Sequence, residues 1–386
     1  MSMIGKNVVV LGAGIAGLAV SRALAMQGAT VSVLERAPEI REVGAGLQIS
    51  QNGFRVIEAM GLSEALLARA TQSQAVALLN YKGGEVLRMD LRRRRERAHL
   101  FVHRADLIEV LAEGAREVGV MLRLGTEVVA VYPGEGGYHL TLASGEVLAP
   151  DLLVGADGVR SLLRPALNGE DTPFFTGQVA WRATLPNPGQ GPEARVWMGP
   201  GRHMVTYPLR DGALLNVVAV QERRDWTKEG WSIPDDPGNL RKAFADFGGM
   251  ARSILQGVEN VHLWGLFRHP VAKNWGQGNA ALLGDAAHPT LPFLAQGANL
   301  ALEDAWVLAR HLGTMEQTDA LQAYQAIRRP RAEKVIAAAN GNAWKFHLRQ
   351  PLIRGVAHQL LRLGNAVAPS HMLGQFDWVY DHDVTA

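Results

Sequence analysis

The sequence contains no cysteine, so disulfides, thiol nucleophiles and thiolate metal sites are all excluded. It also lacks an uninterrupted apolar run of about 20 residues, the length that a membrane-spanning helix needs. Net charge is small, because 39 Lys and Arg residues are balanced by 37 Asp and Glu residues, and this argues against bulk attraction to nucleic acid. From these absences we expect a cytoplasmic protein with no metal ion, no nucleic-acid partner and no membrane association.

The chain is long enough for two joined domains, since 386 residues exceed the usual size of one small domain. Strand and helix patterns alternate in residues 1–172 and 270–340, whereas residues 173–269 hold β-type runs such as HMVTYPLRDGALLNVVAVQE. Glycines interrupt the apolar N-terminus and no cleavage pattern closes it, so we interpret it as part of the fold. We predict an α/β fold in which a discontinuous parallel-sheet domain carries an inserted antiparallel-sheet domain, with a helical region at residues 341–386.

The N-terminal strand-helix-strand segment carries a dinucleotide-binding fingerprint. In NVVVLGAGIAGLAVSRALAMQGATVSVLER, Gly12, Gly14 and Gly17 are spaced as G-x-G-x-x-G between a strand and a helix. The first glycine permits a tight turn, the second lets the backbone approach a pyrophosphate, and the third lets helix and sheet pack closely. Glu35 ends the next strand and is expected to accept hydrogen bonds from a ribose, with Arg36 beside it. The fingerprint alone does not separate NAD from FAD.

Two further Gly-Asp turns follow apolar strands. Asp157 lies in LAPDLLVGADGVRS and Asp285 in LLGDAAHP, and ligands gather at such strand ends in parallel sheets. The second turn leads through two prolines to a helix that is predicted to begin near Gly297. The N-terminus of such a helix is a good place to hold negative charge.

We assign no bound ligand to two other segments of the sequence. HRADLIEVLAEGAREVG predicts a helix that begins near Asp106, with that residue as its cap. RRRRER, at residues 92–97, is the one charge run of the sequence. We expect it to be a solvated turn, with an anion-attracting patch as the alternative.

Together these motifs resemble those of the class A FAD-dependent aromatic hydroxylases, which are flavoprotein monooxygenases. The resemblance covers most of the chain, and its most specific part is GDAAHPTLPFLAQGANLALEDA at residues 284–305. EVGAGLQISQNG, FVHRADL, HMVTYPLRDG and FDWVYDHDVTA are similar to segments of salicylate, 3-hydroxybenzoate and 6-hydroxynicotinate hydroxylases. The resemblance implies a Rossmann-like FAD-binding domain of the glutathione-reductase type (1–172 and 270–340) and an inserted substrate domain (173–269).

The resemblance also implies the contacts with a bound FAD. Arg104 would contact the ribityl or phosphate region, and Asp285 would bind ribityl hydroxyls or the pyrophosphate. Asp157 would stabilise the dinucleotide pocket and help to orient a nicotinamide donor. Gly297 and Asn299 would offer backbone amides to the N1 and C2 carbonyl edge of the isoalloxazine, which carries negative charge in reduced flavin.

A histidine and a tyrosine are the candidate substrate contacts. His203 and Tyr207 lie four residues apart in a β-type run, which puts both on one face of a strand. Related hydroxylases have this pair at the substrate, so His203 is expected to remove a phenolic proton, with Tyr207 as its hydrogen-bonding neighbour. Gln48 is the expected third polar contact, although some relatives carry histidine there. His288 is interpreted as structural, and no residue is identified that would hold a substrate carboxylate.

The resemblance implies an FAD-dependent monooxygenase that uses NADH or NADPH and O₂ to hydroxylate a small phenolic or hydroxy-heteroaromatic acid through a flavin C4a-hydroperoxide. One alternative is a hydroxylase of quinone precursors or lipid-like rings, because PLIRGVAHQLLRLGNAVAP would suit a membrane surface. The same segment could instead pack on its own chain or on the partner in a homodimer. A flavin-binding sensor without catalytic activity is the third reading.

Overall fold

The structure is a computed structural model, which describes residues 3–40, 46–94, 96–223, 233–343, 346–367 and 374–386. In chain order, its strands are β1 (Asn7–Leu11), β2 (Thr30–Leu34), β3 (Gly46–Ser50), β4 (Thr71–Gln72), β5 (Ala75–Asn80), β6 (Glu85–Asp90), β7 (His99–His103), β8 (Met121–Arg123), β9 (Val128–Gly134), β10 (Gly137–Leu142), β11 (Val147–Leu148), β12 (Leu152–Gly155), β13 (Phe174–Pro186), β14 (Glu193–Gly199), β15 (Arg202–Leu209), β16 (Leu214–Glu222), β17 (Ile233–Asp235), β18 (Val261–Arg268), β19 (Gly276–Gln277) and β20 (Ala280–Leu282). Its α-helices are α1 (Ile15–Met26), α2 (Gln51–Ala59), α3 (Ser63–Leu67), α4 (Arg104–Glu117), α5 (Leu163–Asn168), α6 (Pro237–Ala243), α7 (Gly249–Gln256), α8 (Gly297–Thr314), α9 (Gln317–Ala343), α10 (Pro351–Val367) and α11 (Asp377–Tyr380).

A mainly parallel six-stranded sheet organises the first part of the fold, in the order β19-β20-β12-β1-β2-β8. β1 pairs in parallel with β2 on one side and β12 on the other, and β20 extends the sheet in parallel beyond β12. Val8 and Val10 of β1 are fully buried, as expected for a central parallel strand that is covered on both faces. Helix α1 packs against α4 and α8, and α8 packs against α9. The predicted Rossmann-like α/β fold is confirmed.

An eight-stranded sheet forms the second part, in the order β17-β18-β13-β16-β15-β14-β5-β6. Its neighbours are antiparallel except for β14 and β5, which run in parallel. One face packs on α6 and α7, where Phe244 and Phe247 lie in the same core as Met204 of β15. The other face packs against Leu291 and Phe293, which belong to the segment that leads into α8. The loop before α8 therefore lies directly over the antiparallel sheet.

Strands β5 and β6 belong to this second sheet, although the predicted boundaries assign residues 75–90 to the first domain. The pairing of β5 with β14 joins Ala75 to Glu193, and no local pattern in the sequence signals such a distant parallel contact. The division at residues 172 and 270 stays a prediction.

A three-stranded sheet, β3-β7-β4, links the two larger sheets. Phe101 of β7 stacks on Tyr207 of β15, with ring centroids 5.0 Å apart. Gly46 of β3 lies so close to that tyrosine that a Cβ at this position would be 2.6 Å from its ring. The packing therefore fixes β3 beside the face of β15 that carries Tyr207.

The C-terminal region is helical, and an arginine-rich turn holds its last segment. Arg94 and Arg97 both donate to the carboxylate of Asp377, and Arg97 also pairs with Asp381. Neither a solvated turn nor an anion-attracting patch describes these two arginines, because their partners are carboxylates of the same chain. Within the ranges given above, no helix combines the length and apolar character needed to cross a bilayer.

Candidate active site

The motifs predicted to bind a dinucleotide meet at one edge of the parallel sheet. β1, β12 and β20 are neighbours in register, so the turns that follow their carboxyl ends lie side by side. A Cβ at Gly12 would be 3.2 Å from Cα of Asp157, and one at Gly284 would be 3.0 Å from Cβ of Ala16 in α1. This is the edge at which open α/β sheets bind ligands.

The three fingerprint glycines have three different environments. Gly12 has φ +94°, and a Cβ there would be 2.8 Å from the carbonyl oxygen of Ala156. A Cβ at Gly17 would be 1.9 Å from the carbonyl oxygen of Gly12, so this residue permits the contact of helix and turn. For Gly14, the residue before α1, no described residue other than its chain neighbours has an atom within 4 Å of the Cβ position. The tight turn, the close packing and the open approach that a pyrophosphate needs are all present.

Glu35 lies against this turn. Its Oε2 accepts a hydrogen bond of 2.9 Å from the amide of Ala13, and its Oε1 accepts one of 2.9 Å from the amide of Ala37. The carboxylate is thus fixed beside the fingerprint, where a ribose bound at this edge would meet it. Arg36, the next residue, is exposed.

Asp157 and Asp285 lie just after the ends of two neighbouring parallel strands, β12 and β20. Oδ2 of Asp157 accepts from the amide of Leu162 at 2.7 Å, whereas Oδ1 is buried and has no hydrogen-bond partner among the described residues. Burial raises the pKa of Asp157, which is partly offset by hydrogen bonds from Ser161 and Leu162. Burial also raises the pKa of Asp285, against the opposing effects of His288 and Arg104. A polar ligand at this edge would supply the contact that Oδ1 of Asp157 lacks.

Helix α4 begins at Arg104, two residues before the predicted start. Its cap is His103, whose Nδ1 accepts from the amide of Ala105 at 3.3 Å. Asp106, the predicted cap, instead forms an ion pair with Arg210 of the antiparallel domain, at 2.7 Å. Arg104, the first residue of α4, lies close enough to Asp285 to oppose the rise in the pKa of that carboxyl.

Helix α8 begins at Gly297, as predicted. Its first backbone bond is donated by Leu300 to the carbonyl of Gln296, so the amides before Leu300 precede the helical ladder. The side chain of Asn299 is fully buried and structural: it accepts from the amide of Ser50 and donates to the carbonyls of Gln48 and Ala295, all at 2.9–3.0 Å. Asn299 therefore ties the helix N-terminus to β3, which leaves only its backbone for a flavin.

His288 belongs to a buried ionic network. Its Nε2 bonds to Asp304 of α8, and its ring stacks on Trp275 with centroids 5.0 Å apart. Arg328 of α9 pairs with both Asp304 and Glu303, and all three side chains are fully buried. These contacts agree with the structural role predicted for His288, since they hold α8 on α9.

His203 and Tyr207 occupy the face of β15 that is turned toward the loop before α8. Both are buried, at 3 % and 4 % exposure. The ring of His203 lies 6.1 Å from that of Phe293 in this loop and 5.5 Å from that of Phe346. Burial raises the pKa of Tyr207 against the opposing effect of Arg182, so the phenol stays protonated and can donate.

His203 is hydrogen-bonded to a residue that the sequence analysis missed. Its Nδ1 lies 2.7 Å from Nε2 of His347, and Nδ1 of His347 lies 3.0 Å from Oε1 of Glu222. Burial and the nearby His347 lower the pKa of His203 well below its usual range. Burial also lowers the pKa of His347, although Glu222 opposes this effect. Both imidazoles are therefore neutral near pH 7.

Gln48 contacts a different histidine. Its Oε1 lies 3.2 Å from Nε2 of His99, and burial lowers the pKa of His99 to about 4. Gln48 pairs with Phe101 across β3 and β7, and Phe101 in turn stacks on Tyr207. Phe101 therefore lies between Gln48 and Tyr207, and the hydrogen-bond neighbour of Gln48 is His99 rather than His203.

Arg182 is a second residue that the sequence analysis missed. It lies on β13 above the ring of Trp264, 4.4 Å from the centroid, and is near enough to Tyr207 to affect its pKa. Trp181 and Trp197 belong to the core on the opposite face, and Trp264 is buried on the same side as Arg182. In QVAWRATLP, alternation in a strand would have put Arg182 on the face opposite Trp181.

Two arginines, Arg22 and Arg41, follow the fingerprint in the sequence. Arg22 is buried in α1, where it donates to the carbonyls of Met60 and Gly114 and joins three helices. Arg41 lies outside the described residues.

Comparisons with known proteins agree on one family. A family model described as an FAD binding domain matches residues 6–339. The chain is 33 % identical to 3-amino-4-hydroxybenzoate 2-monooxygenase PtmB3 of Streptomyces platensis, over 97 % of this chain and 95 % of that protein. It is 31 % identical to 3-hydroxybenzoate 6-hydroxylase of Polaromonas naphthalenivorans, over 98 % and 96 %. A salicylate hydroxylase solved as a substrate complex has the same fold, with a TM-score of 0.81, 24 % identity and coverage of 98 % and 96 %.

Proposed function

Because the chain belongs to the FAD-dependent aromatic hydroxylases and is thus an FAD-dependent monooxygenase, we propose that its substrate is a small phenolic or hydroxy-heteroaromatic acid. Two relatives named above are a 3-amino-4-hydroxybenzoate 2-monooxygenase and a 3-hydroxybenzoate 6-hydroxylase, which supports a hydroxybenzoate-like ring. NADH or NADPH would reduce the flavin, and O₂ would be the source of the inserted oxygen. A reductant of this kind favours a cytoplasmic location.

We infer that FAD lies along the edge where the motifs meet. This placement is supported by the open approach at Gly14, the fixed carboxylate of Glu35 and the buried Oδ1 of Asp157, which has no hydrogen-bond partner within the described part of the chain. The residues proposed to hold FAD are Gly12, Gly14, Gly17, Glu35, Arg36, Arg104, Asp157, Asp285, Gly297 and Asn299. When bound and reduced, FAD supplies an activated oxygen atom to the substrate ring. The amides that begin α8 would stabilise negative charge on the nearby ring edge.

We propose that His203 activates the substrate by accepting its phenolic proton. It is neutral and buried, and it faces Phe293 in the loop that delivers α8, so a phenol bound there would meet a proton acceptor in a dry environment. Loss of the phenolic proton makes an aromatic ring a better nucleophile toward an electrophilic oxygen. Tyr207 would donate a hydrogen bond to the substrate, and Gln48, whose neighbour is His99, would supply a further polar contact. Arg182 is proposed to pair with the substrate carboxylate.

The test is the His203→Ala variant. The general-base role predicts that FAD content is retained while hydroxylated product falls by about a hundredfold or more. Product formed per NAD(P)H consumed should fall as well, because reduced flavin would then react with O₂ without the ring. His139→Ala is the control, since His139 lies in the β9–β10 hairpin. Native levels of coupled product in His203→Ala would exclude the assignment.

We also infer that the protein forms a homodimer through α10. Its outward residues recur at helical spacing and are largely exposed, and they are Leu352, Val356, Leu360, Leu363 and Val367. Such a stripe along a whole helix suits a second helix of the same kind. Arg354 and Arg362, which a membrane surface would attract, instead donate to the carbonyls of Leu348 and Glu85 of their own chain. This engagement favours a protein partner over a lipid surface.

A further inference from the structure

We propose that Glu222 and His347 fix the proton positions on His203 and pass the proton taken from the substrate to solvent. The inference rests on the proposed role of His203 as proton acceptor, and adds two residues that act through it. Neither is in a sequence motif. His347 lies between α9 and α10, and Glu222 is the last residue of β16.

The three side chains form a continuous line from the buried site outward. Nδ1 of His203 lies 2.7 Å from Nε2 of His347, whose Nδ1 lies 3.0 Å from Oε1 of Glu222. The side chain of Glu222 is 33 % exposed, whereas His203 is 3 % exposed. The line therefore begins in the sealed site and ends where water can reach it.

The backbone holds this line in place. The amide of Gly201 donates to the carbonyl of His347 at 3.1 Å, and the amide of Glu222 donates to the carbonyl of Gly201 at 2.9 Å. Gly201 precedes β15, so the residues of the line are attached to one turn. Arg349 donates to Oε2 of Glu222 at 3.0 Å and leaves Oε1 to His347.

The carboxylate determines which nitrogens carry protons. An ionised carboxylate only accepts hydrogen bonds, so Nδ1 of His347 must be the protonated nitrogen. In a neutral imidazole the other nitrogen is then an acceptor, and Nε2 of His347 must accept from Nδ1–H of His203. Nε2 of His203 is therefore left with a lone pair. This is the tautomer that His203 needs if it is to take a proton from a phenol.

The same arrangement can pass a proton along the line. As the substrate O–H bond breaks, its proton forms a bond to Nε2 of His203. The proton on Nδ1 of His203 can then move to Nε2 of His347, and the proton on Nδ1 of His347 can move to Oε1 of Glu222. Glu222 releases its proton to solvent, which leaves the substrate as a phenolate and both imidazoles neutral with their tautomers reversed. A proton that returns along the same line to the product oxygen restores the starting tautomers.

Among the described residues, Arg349 and Arg202 are charged groups close to the line. Hydrogen bonds from Arg349 and the proximity of His347 lower the pKa of Glu222, although burial opposes this, so the carboxylate is ionised near pH 7. Arg202 lies next to His203 in sequence, but its guanidinium pairs with Asp246 at 2.8 Å. Among the described residues, the rings of Phe293 and Phe346 lie next to His203, together with that of His347.

The experiment uses the FAD-loaded enzyme and 4-hydroxy-3-nitrobenzoate, a phenol whose ionisation is visible by absorbance. Difference spectra over a pH series give the fraction of bound probe that is phenolate, and a stopped-flow pH jump gives the rate of proton loss. In Glu222→Gln, the side-chain amide can donate to Nδ1 of His347 and so reverse both tautomers. The bound probe should then lose its phenolic proton about tenfold or more slowly, with its affinity for the enzyme unchanged. His347→Leu should have the same effect because it cuts the line.

Asp246→Asn is the matched control. It makes the same carboxylate-to-amide change beside β15, at 37 % side-chain exposure, and has no bond to either imidazole. It should behave like the native enzyme, and Glu222→Asp should restore part of the rate. If Glu222→Gln fails to retain FAD, His347→Leu decides the question.

Two results would overturn the proposal in different ways. Native proton loss in both Glu222→Gln and His347→Leu, together with slow loss in His203→Ala, would exclude the relay and leave His203 as the base. A bound probe that ionises equally well in the native enzyme and in His203→Ala would exclude the base and the relay together.

Discussion

At the scale of single residues, substitutions of the fingerprint glycines should have different effects on stability and on FAD binding. A Cβ at Gly17 would be 1.9 Å from a backbone oxygen, so Gly17→Ala must displace the helix from the turn. A Cβ at Gly14 meets no protein atom within 4 Å, so Gly14→Ala should change the stability of the apoprotein by less than about 1 kcal/mol. It should nevertheless reduce FAD occupancy, because the methyl group occupies the approach proposed for the pyrophosphate.

Thermal melting of the apoproteins and FAD absorbance of the purified proteins separate these outcomes. Gly17→Ala should lower both the melting temperature and the FAD content, whereas Gly14→Ala should lower only the FAD content. Full FAD occupancy in Gly14→Ala would contradict the placement of the cofactor.

Residues in continuous motifs could be located from sequence, and residues joined by the fold could not. Gly12, Asp157 and Asp285 each follow an apolar strand, and parallel strands bring such positions to one edge. His203 and Tyr207 share a strand face because strand side chains alternate. His347 contacts His203 across 144 positions, and no spacing rule connects them. Gln48 was assigned a substrate contact by resemblance, but its neighbour is His99.

At the scale of elements, the buried charges between α8 and α9 should dominate local stability. Burial alone would raise the pKa of Asp304, but His288 and Arg328 outweigh it and lower the value to about 2. Asp304→Asn leaves Arg328 with one carboxylate fewer in a buried site, which costs about 3–5 kcal/mol in comparable pairs. Urea unfolding at pH 7 measures this loss, with the exposed Asp319→Asn on α9 as the control.

The same lowered pKa gives a pH dependence. Asp304 is ionised in the folded and unfolded states at pH 7, so its stabilising contribution is fully present there. As pH falls below the unfolded value of about 3.9, the unfolded chain takes up the proton first, and this contribution is lost toward pH 2. The native protein should therefore lose more unfolding free energy between pH 5 and pH 3 than Asp304→Asn does. Equal losses in the two proteins would contradict the assignment.

Helix α10 offers a second element to test. Leu360 is 64 % exposed in the middle of the apolar stripe, so Leu360→Glu should place buried charges in a homodimer interface and separate the subunits. Light scattering after gel filtration should give twice 41.8 kDa for the native protein and 41.8 kDa for the variant. Gln359→Glu adds the same charge beside the stripe and should stay dimeric.

A native monomer would exclude the homodimer. Flotation of the native protein with anionic lipid vesicles, lost in Leu360→Glu, would instead identify α10 as a membrane-binding helix. The structure argues against that outcome because both arginines of the helix bind carbonyls of their own chain.

At the scale of the whole molecule, the two large sheets could be predicted from the sequence, whereas the full set of strands in each sheet could not. The parallel sheet follows from strand-helix alternation, and the antiparallel sheet from β-type runs in residues 173–269. The addition of β5 and β6 to the second sheet depends on packing between distant segments, which periodicity does not report. The inserted sheet matters for function because the loop before α8 lies over it, so the proposed flavin edge faces His203.

The most direct test of this account is product analysis under ¹⁸O₂ with the FAD-loaded enzyme and NADH or NADPH. The panel is salicylate, 3-hydroxybenzoate, 4-hydroxybenzoate and 6-hydroxynicotinate, with mass spectrometry of the products and measurement of peroxide. The account predicts that one of these acids, or a close analogue, yields a labelled hydroxylated product with little peroxide. Oxidation of NAD(P)H to peroxide alone with every hydroxy-aromatic acid, or no oxidation at all, would contradict it.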